Sequence, residues 1–157
     1  MPSGLDRASL VELLTWRNQI DAELKARGHV RTASSVAGEL MERAVADAYA
    51  GELLKQGAKS SDVKLPDGRR IQVKTRSLPP GDQRHWAFKD LDFDMAVVIR
   101  LDRETFGVDW ARELTREEVA ALARPHETDR LRLRMASARS AGKDVTDMVR
   151  AAYAALQ

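Results

Sequence analysis

Apolar side chains return at steps of three and four over some stretches of the chain and at every second position over others. Leu10, Leu13, Leu14, Trp16, Ile20 and Leu24 make a helical stripe, so a helix is expected from about Leu5 to Ala26, stopped at Gly28. That stripe would pack on the domain itself or on a second copy of the chain. A basic connector from Gly28 to Ser34 follows, carrying His29 and Arg31. The second helix is expected from about Ser35 to Leu54. At about 100° per residue, Ala37, Met41, Ala44, Val45, Ala48 and Tyr49 share one apolar face. Glu42 falls on the edge of that face, and Glu39 lies roughly 60° further into the polar side. Thr115 and Glu118 have the spacing of a capping box, which predicts a short helix from Arg116 to Ala123 that Arg124-Pro125 ends. A closing helix from Asp144 to Leu156 puts Val145, Met148, Val149, Ala152, Tyr153 and Leu156 on one side.

Strand signals lie between these helices. Ser61 to Arg76 reads S-D-V-K-L-P-D-G-R-R-I-Q-V-K-T-R, two β-type runs around a Pro66-Asp67-Gly68 reversal. As a hairpin with that loop, it sets Val63 opposite Ile71 and Asp62 opposite Gln72. Side chains alternate along a strand, so Val63, Leu65, Ile71 and Val73 share one face while Asp62, Gln72 and Lys74 share the other. After Arg76 no periodicity survives until Phe93 to Leu101, a run apolar enough to be a central strand buried on both sides. Phe106, Val108 and Trp110 alternate within Thr105 to Ala111, which should pair antiparallel with it. Arg130 to Met135 alternates arginine with Leu131, Leu133 and Met135, a half-exposed edge strand or else a helix. The expected fold is α+β, an α/β/α sandwich whose central mixed sheet has about four to five strands flanked by helices.

Composition narrows the function classes. With 157 residues, 43% hydrophobic and 32% charged, the chain suits one globular domain. It lacks a run of about 18 apolar residues, so no membrane partner is expected, and its polar start has no secretory core; a cytoplasmic setting is expected. The absence of cysteine removes thiolate nucleophiles and cysteine-ligated zinc, and three histidines argue against a histidine-built metal site. A formal charge of +2 permits a polyanionic partner without demanding one.

The shared face of Asp62, Gln72 and Lys74 is suited to phosphodiester hydrolysis, which needs an in-line nucleophile and relief of charge on the phosphoryl and leaving oxygens. Mg²⁺, with Mn²⁺ as substitute, takes one or two protein carboxylates and keeps several waters. Asp62 supplies one carboxylate. The Gln72 side-chain oxygen or the Val73 backbone carbonyl could add a ligand, and so could Glu42 if its helix covers this end of the hairpin. Lys74 would position or deprotonate the attacking water or stabilise the pentavalent phosphate.

The succession of a helix with G-E-L-M-E, then S-D-V, a turn, I-Q-V-K-T-R and a buried strand resembles the PD-(D/E)XK nuclease superfamily, the restriction endonuclease-like fold. The likeness is clearest over Gly38 to Leu101. It implies catalytic roles for Glu42, Asp62, Gln72 and Lys74, with Glu39 as the alternative helix acid. Ser61 stands where the family's name-giving proline would be, and Gln72 replaces the usual acidic residue, a Q-x-K variant that removes one negative charge. Residues 1–157 then form one domain, with a helical extension over 1–28, a nuclease-like core over 35–124, and a strand and helix over 125–157. The resemblance implies a DNA endonuclease of restriction, repair or mobile-element type, with a homodimer through the N-terminal helix as a further expectation. Arg76, Arg84, Trp86 and Lys89, in the irregular stretch after the hairpin, are the expected nucleic-acid contacts. The main alternative is an inactive module of the same fold, using these cations and the arginines of Arg130 to Arg134 to bind nucleic acid or a partner. A third reading makes the Asp62 to Lys74 pattern an ordinary solvated sheet face.

Overall fold

The computed structural model describes residues 4–26, 36–55 and 60–156, and the expectations for Gly28, His29 and Arg31 lie outside them. A 3-10 turn, Leu5–Arg7, precedes α1 (Leu10–Ala26). The helix starts five residues later than the apolar stripe suggested, because Ser9 and Glu12 cap it reciprocally: the Ser9 amide donates to Glu12 Oε2 at 2.8 Å and the Glu12 amide to Ser9 Oγ at 3.2 Å. Only part of its stripe docks. Leu14 is buried and Leu10 touches the core, whereas Leu13 and Ile20 stay exposed. Asn18 also donates to the carbonyl of Arg103 at 3.1 Å.

The second helix, α2 (Val36–Ala48), ends well before Leu54. Ala50 turns left-handed at φ 50, the Gly51 amide bonds the Ala46 carbonyl at 2.8 Å, and Leu53, expected in the last helical turn, instead enters β1 (Glu52–Leu53). β2 (Val63–Lys64) and β3 (Arg70–Leu78) make the hairpin in the expected register, Val63 opposite Ile71, with Gly68 at φ 92 in the turn. β4 (Trp86–Phe88) follows, then β5 (Met95–Asp102), which is parallel to β3 and buried from Met95 through Leu101. β6 (Val108–Thr115) returns antiparallel and runs directly into α3 (Arg116–Leu122), whose Thr115–Glu118 capping box is present. The remaining elements are β7 (Arg124–His126), β8 (Arg130–Leu133), α4 (Met135–Arg139), β9 (Lys143–Asp144) and α5 (Thr146–Ala154).

The fold is α+β, with a mixed six-stranded sheet ordered β1-β2-β3-β5-β6-β9 and a separate three-stranded sheet ordered β4-β8-β7. The expected four to five strands thus become six, since β1 and β9 have only two residues each and carry no periodic signal. Arg130 to Met135 was expected at an edge; β8 is instead the centre of the small sheet, because Trp86–Phe88 and the proline-containing Arg124–His126 both pair with it. Alternation along β3 and β5 separates two apolar clusters. Ile71, Val73, Val97 and Ile99 face α2 and α5, while Leu78, Ala96 and Val98 face the small sheet, α3 and α4. The far layer is therefore part sheet and part short helix, rather than the purely helical layer of an α/β/α sandwich.

Gly142 fixes where β9 joins the large sheet. Its φ is +65, and a Cβ there would lie 2.1 Å from the Glu113 carbonyl oxygen, a backbone atom that cannot turn aside. Gly142→Ala should lower the unfolding free energy by about 2–4 kcal/mol in urea melts; a loss below about 0.5 kcal/mol would contradict this packing.

Candidate active site at the edge of the sheet

β2 pairs with β3 only through Val63 and Lys64, so among the described residues β3 has a strand neighbour on just one side from Gln72 onward. Asp62 sits at that break. Its Oδ2 accepts the Val73 amide at 2.7 Å and Gln72 Nε2 at 2.9 Å, so a side chain satisfies a backbone donor that a longer β2 would have paired. The entry to Asp62 is held from outside the hairpin. Ser60, left-handed at φ 50, donates through Oγ to Asp90 Oδ2 at 2.6 Å, and buried Ser61 donates to the Asp92 carbonyl at 3.3 Å.

Glu42 reaches this notch from α2. Its carboxyl is close enough to Asp62 for each to act on the other's ionisation, whereas Glu39 is exposed. Burial first, then the charges of Asp62 and Glu39, push Glu42 up from the usual carboxylate range to about 7. Burial also raises Asp62, opposed by the Val73 amide and the Lys74 charge. Burial and the neighbouring charges thus favour the protonated form of Glu42. Lys74 arrives from the opposite sheet face with its Nζ 5.5 Å from the Phe88 ring centroid, within cation–π range. No hydrogen bond or ion pair within 4.0 Å holds its ammonium among the described residues. Burial lowers its pKa, with Asp62 and Asp90 opposing and Arg76 assisting. An amine that loses its proton more easily is a better general base near neutrality.

Glu42, Asp62, Gln72 and Lys74 are therefore brought together, by α2, the end of β2 and β3. Of the expected nucleic-acid contacts, Arg76 lies near enough to act on the charge of Lys74, and Trp86 is buried. Arg76 donates through Nε to the His85 carbonyl at 3.0 Å, Arg84 is exposed and paired with Asp82 at 3.3 Å, and Lys89 is exposed. Trp86 is only 1% exposed and stacks edge-on against Trp110, so it is a core residue that cannot offer its ring to a base. Asp90 escaped the sequence reading. It lies near enough to Lys74 to act on its charge, yet no spacing rule links an acid in the irregular stretch after β4 to a lysine in β3.

No family model matches the chain, and no characterised protein matches its sequence. The site must be judged on its own donors. Among the described residues there is no group of three or more histidine or carboxylate side chains arranged for a metal. The oxygen donors here are two carboxyls, the Gln72 amide and the Val73 carbonyl. That set fits a hard cation such as Mg²⁺, which takes one or two carboxylates and fills its other positions with water, and whose charge would oppose the burial and repulsion that raise Glu42. No helix among the described residues is long and apolar enough to cross a membrane.

The sign of the pH dependence follows from Glu42. In the unfolded chain its carboxyl ionises near 4.5 and in the fold near 7. Stability is therefore full below about pH 4.5, falls as pH rises between these values, and levels off above 7. Discounted for solvent screening of a half-exposed side chain, the loss is about 1 kcal/mol. Glu42→Gln should abolish that loss in urea melts run in chelator from pH 4.5 to 8, so that the variant is the more stable protein at pH 8. An unchanged pH profile would contradict the raised ionisation of Glu42.

Proposed function

We propose that this cluster is the active site of a divalent-cation-dependent endonuclease that hydrolyses DNA phosphodiesters, in a chain with the restriction endonuclease-like fold and the Q-x-K form of the PD-(D/E)XK site. The observation that carries this reading is the meeting of two neighbouring carboxyls with a lysine that has no hydrogen-bond or ion-pair partner among the described residues, delivered by three separate elements to an open strand edge. Packing alone would not gather these groups, because like charges in a half-buried notch cost stability unless a ligand offsets them.

Asp62 and Glu42 would hold Mg²⁺ or Mn²⁺, with the Gln72 amide oxygen or the Val73 carbonyl as a further donor. When bound, the cation would neutralise charge on the phosphoryl and leaving oxygens. The protein supplies the rest. The Val73 amide and Gln72 fix one oxygen of Asp62, leaving the other directed to the ligand. Glu42 gives up its proton when the site is filled. Lys74, loosened from its own proton by burial, takes one from the attacking water or holds the phosphate. Asp90 keeps Lys74 from being neutralised outright by burial, since its charge raises the lysine's affinity for a proton.

One feature favours the inactive alternative. Gln72 turns its Nε2 toward Asp62, so that its amide donor stands where a cation would sit. Rotation about the last torsion of the side chain exchanges donor for acceptor, and the two readings differ in whether Mg²⁺ can drive it. Gln72→Glu restores a third carboxylate and should lower the Mg²⁺ concentration for half-maximal activity about tenfold, because affinity for hard cations follows ligand charge.

Supercoiled plasmid incubated with Mg²⁺ or Mn²⁺ should be nicked by the wild-type chain, while Lys74→Ala and Asp62→Ala should cut at least about a hundredfold more slowly with an unchanged circular-dichroism spectrum. Metal-dependent cutting that survives both substitutions would remove these residues from the chemistry.

A further inference from the structure

The small sheet has one face spoken for. Trp86, Phe88, Leu131 and Leu133 turn inward onto the large sheet, and alternation then puts Ala87, Arg124, His126, Arg130 and Arg132 on the outward side. Pairing sets Arg132 directly opposite Arg124 and Arg130 directly opposite His126. Like charges opposed across an antiparallel pair, with Cβ atoms roughly 5 Å apart, are destabilising in water. Asp129 answers only part of this charge: its Oδ2 takes Arg132 Nε at 2.6 Å and lies 3.2 Å from His85 Nε2 and 3.9 Å from His126 Nδ1. Arg124 bonds nothing but the Ala121 carbonyl, at 3.3 Å, and Arg130 has no hydrogen bond or ion pair within 4.0 Å among the described residues.

Arg130 carries a second anomaly. It closes the β7–β8 turn at φ 63, in the left-handed region where glycine or asparagine is at ease and a long side chain is strained. Selection for folding alone would place glycine there. An arginine kept at a strained position, beside the opposed pair Arg124 and Arg132 and with no hydrogen bond or ion pair within 4.0 Å among the described residues, points to an anion that comes from outside the chain.

We infer that the outward face of the three-stranded sheet is a docking surface for the phosphate backbone of a nucleic-acid duplex. Between its cations the face offers Ala87 and Asp129, and the aromatic rings of β4 are both buried, so among the described residues it carries no tryptophan, tyrosine or phenylalanine ring on which unstacked bases could lie. Recognition is then through phosphates, which suits a duplex whose bases are already stacked. The face leads to the proposed active site: Arg130 and Lys89 both act on the charge of Asp90, which in turn acts on Lys74, and Phe88 beneath Lys74 pairs with Leu131. The inference shares with the proposed function the expectation of a nucleic-acid partner but requires no catalysis.

Binding is therefore measured in chelator, by fluorescence anisotropy of a labelled DNA duplex across a salt series, with the same strand unpaired as a second probe. Wild-type chain should bind the duplex more tightly than the single strand. Arg124→Gln with Arg130→Gly should make the slope of log affinity against log salt shallower by about 2, which shrinks the loss of affinity between about 50 and 200 mM salt by roughly tenfold. Arg130→Gly alone should melt at a higher temperature than wild type while binding more weakly, a combination that a purely structural arginine would not give. The inference is overturned if the double variant keeps the wild-type slope, if the single strand binds as tightly as the duplex, or if the wild-type chain binds no duplex. Lys74→Ala that fails to cut but retains the full wild-type slope would support the docking face whatever the fate of the catalytic reading.

Discussion

Asp62 does the work of a missing strand. Because β2 begins only at Val63, the amide of Val73 faces an open edge, and the carboxylate of Asp62 accepts it. The same oxygen takes the Gln72 amide, and Glu42 comes to the same carboxylate from the helix above. If β2 continued as an ordinary ladder, the edge would be closed and no polar group would be available there. The proposed chemistry thus depends on an interruption of the sheet, and the fold contains it by bracing the residues before it: strained Ser60 on Asp90, and buried Ser61 on the Asp92 carbonyl.

Stability and function pull in opposite directions at this edge. A half-buried carboxyl pair and a buried lysine with no hydrogen bond or ion pair among the described residues each cost free energy in the ligand-free chain. The apolar clusters on the two faces of the large sheet offset that cost, and β5, buried along nearly its whole length, is their common wall. The outward arginines of the small sheet repeat the pattern at a second place, with Arg124 opposite Arg132 and a single carboxylate, Asp129, paired with them within 4.0 Å among the described residues. Charge left unanswered by the chain is the feature common to both places.

Much of this was legible in the sequence because it depends on local rules. The Pro66-Asp67-Gly68 turn sets the register that places Asp62 against Gln72, the apolar run of β5 announces its burial, and the Thr115–Glu118 spacing is itself the cap of α3. The Glu42 preference over Glu39 follows from helical angle and agrees with their burial. What could not be read depends on distant partners. A two-residue strand such as β1 exists only because β2 is there to pair with it. Trp86 looked like a ligand contact in a loop of cations, yet the second sheet that buries it is assembled from three segments far apart in the chain. Asp90 reaches Lys74 only through that same assembly.

The central claim is that burial beside Asp62 favours the protonated form of Glu42 until a divalent cation displaces the proton. Carbon-detected NMR of the Glu42 carboxyl follows that directly, as a pH titration with and without saturating Mg²⁺. The account predicts a midpoint near about 7 in chelator and a return to the ordinary carboxylate range with Mg²⁺, with a proton released on binding at neutral pH. A midpoint that Mg²⁺ leaves unmoved would contradict it.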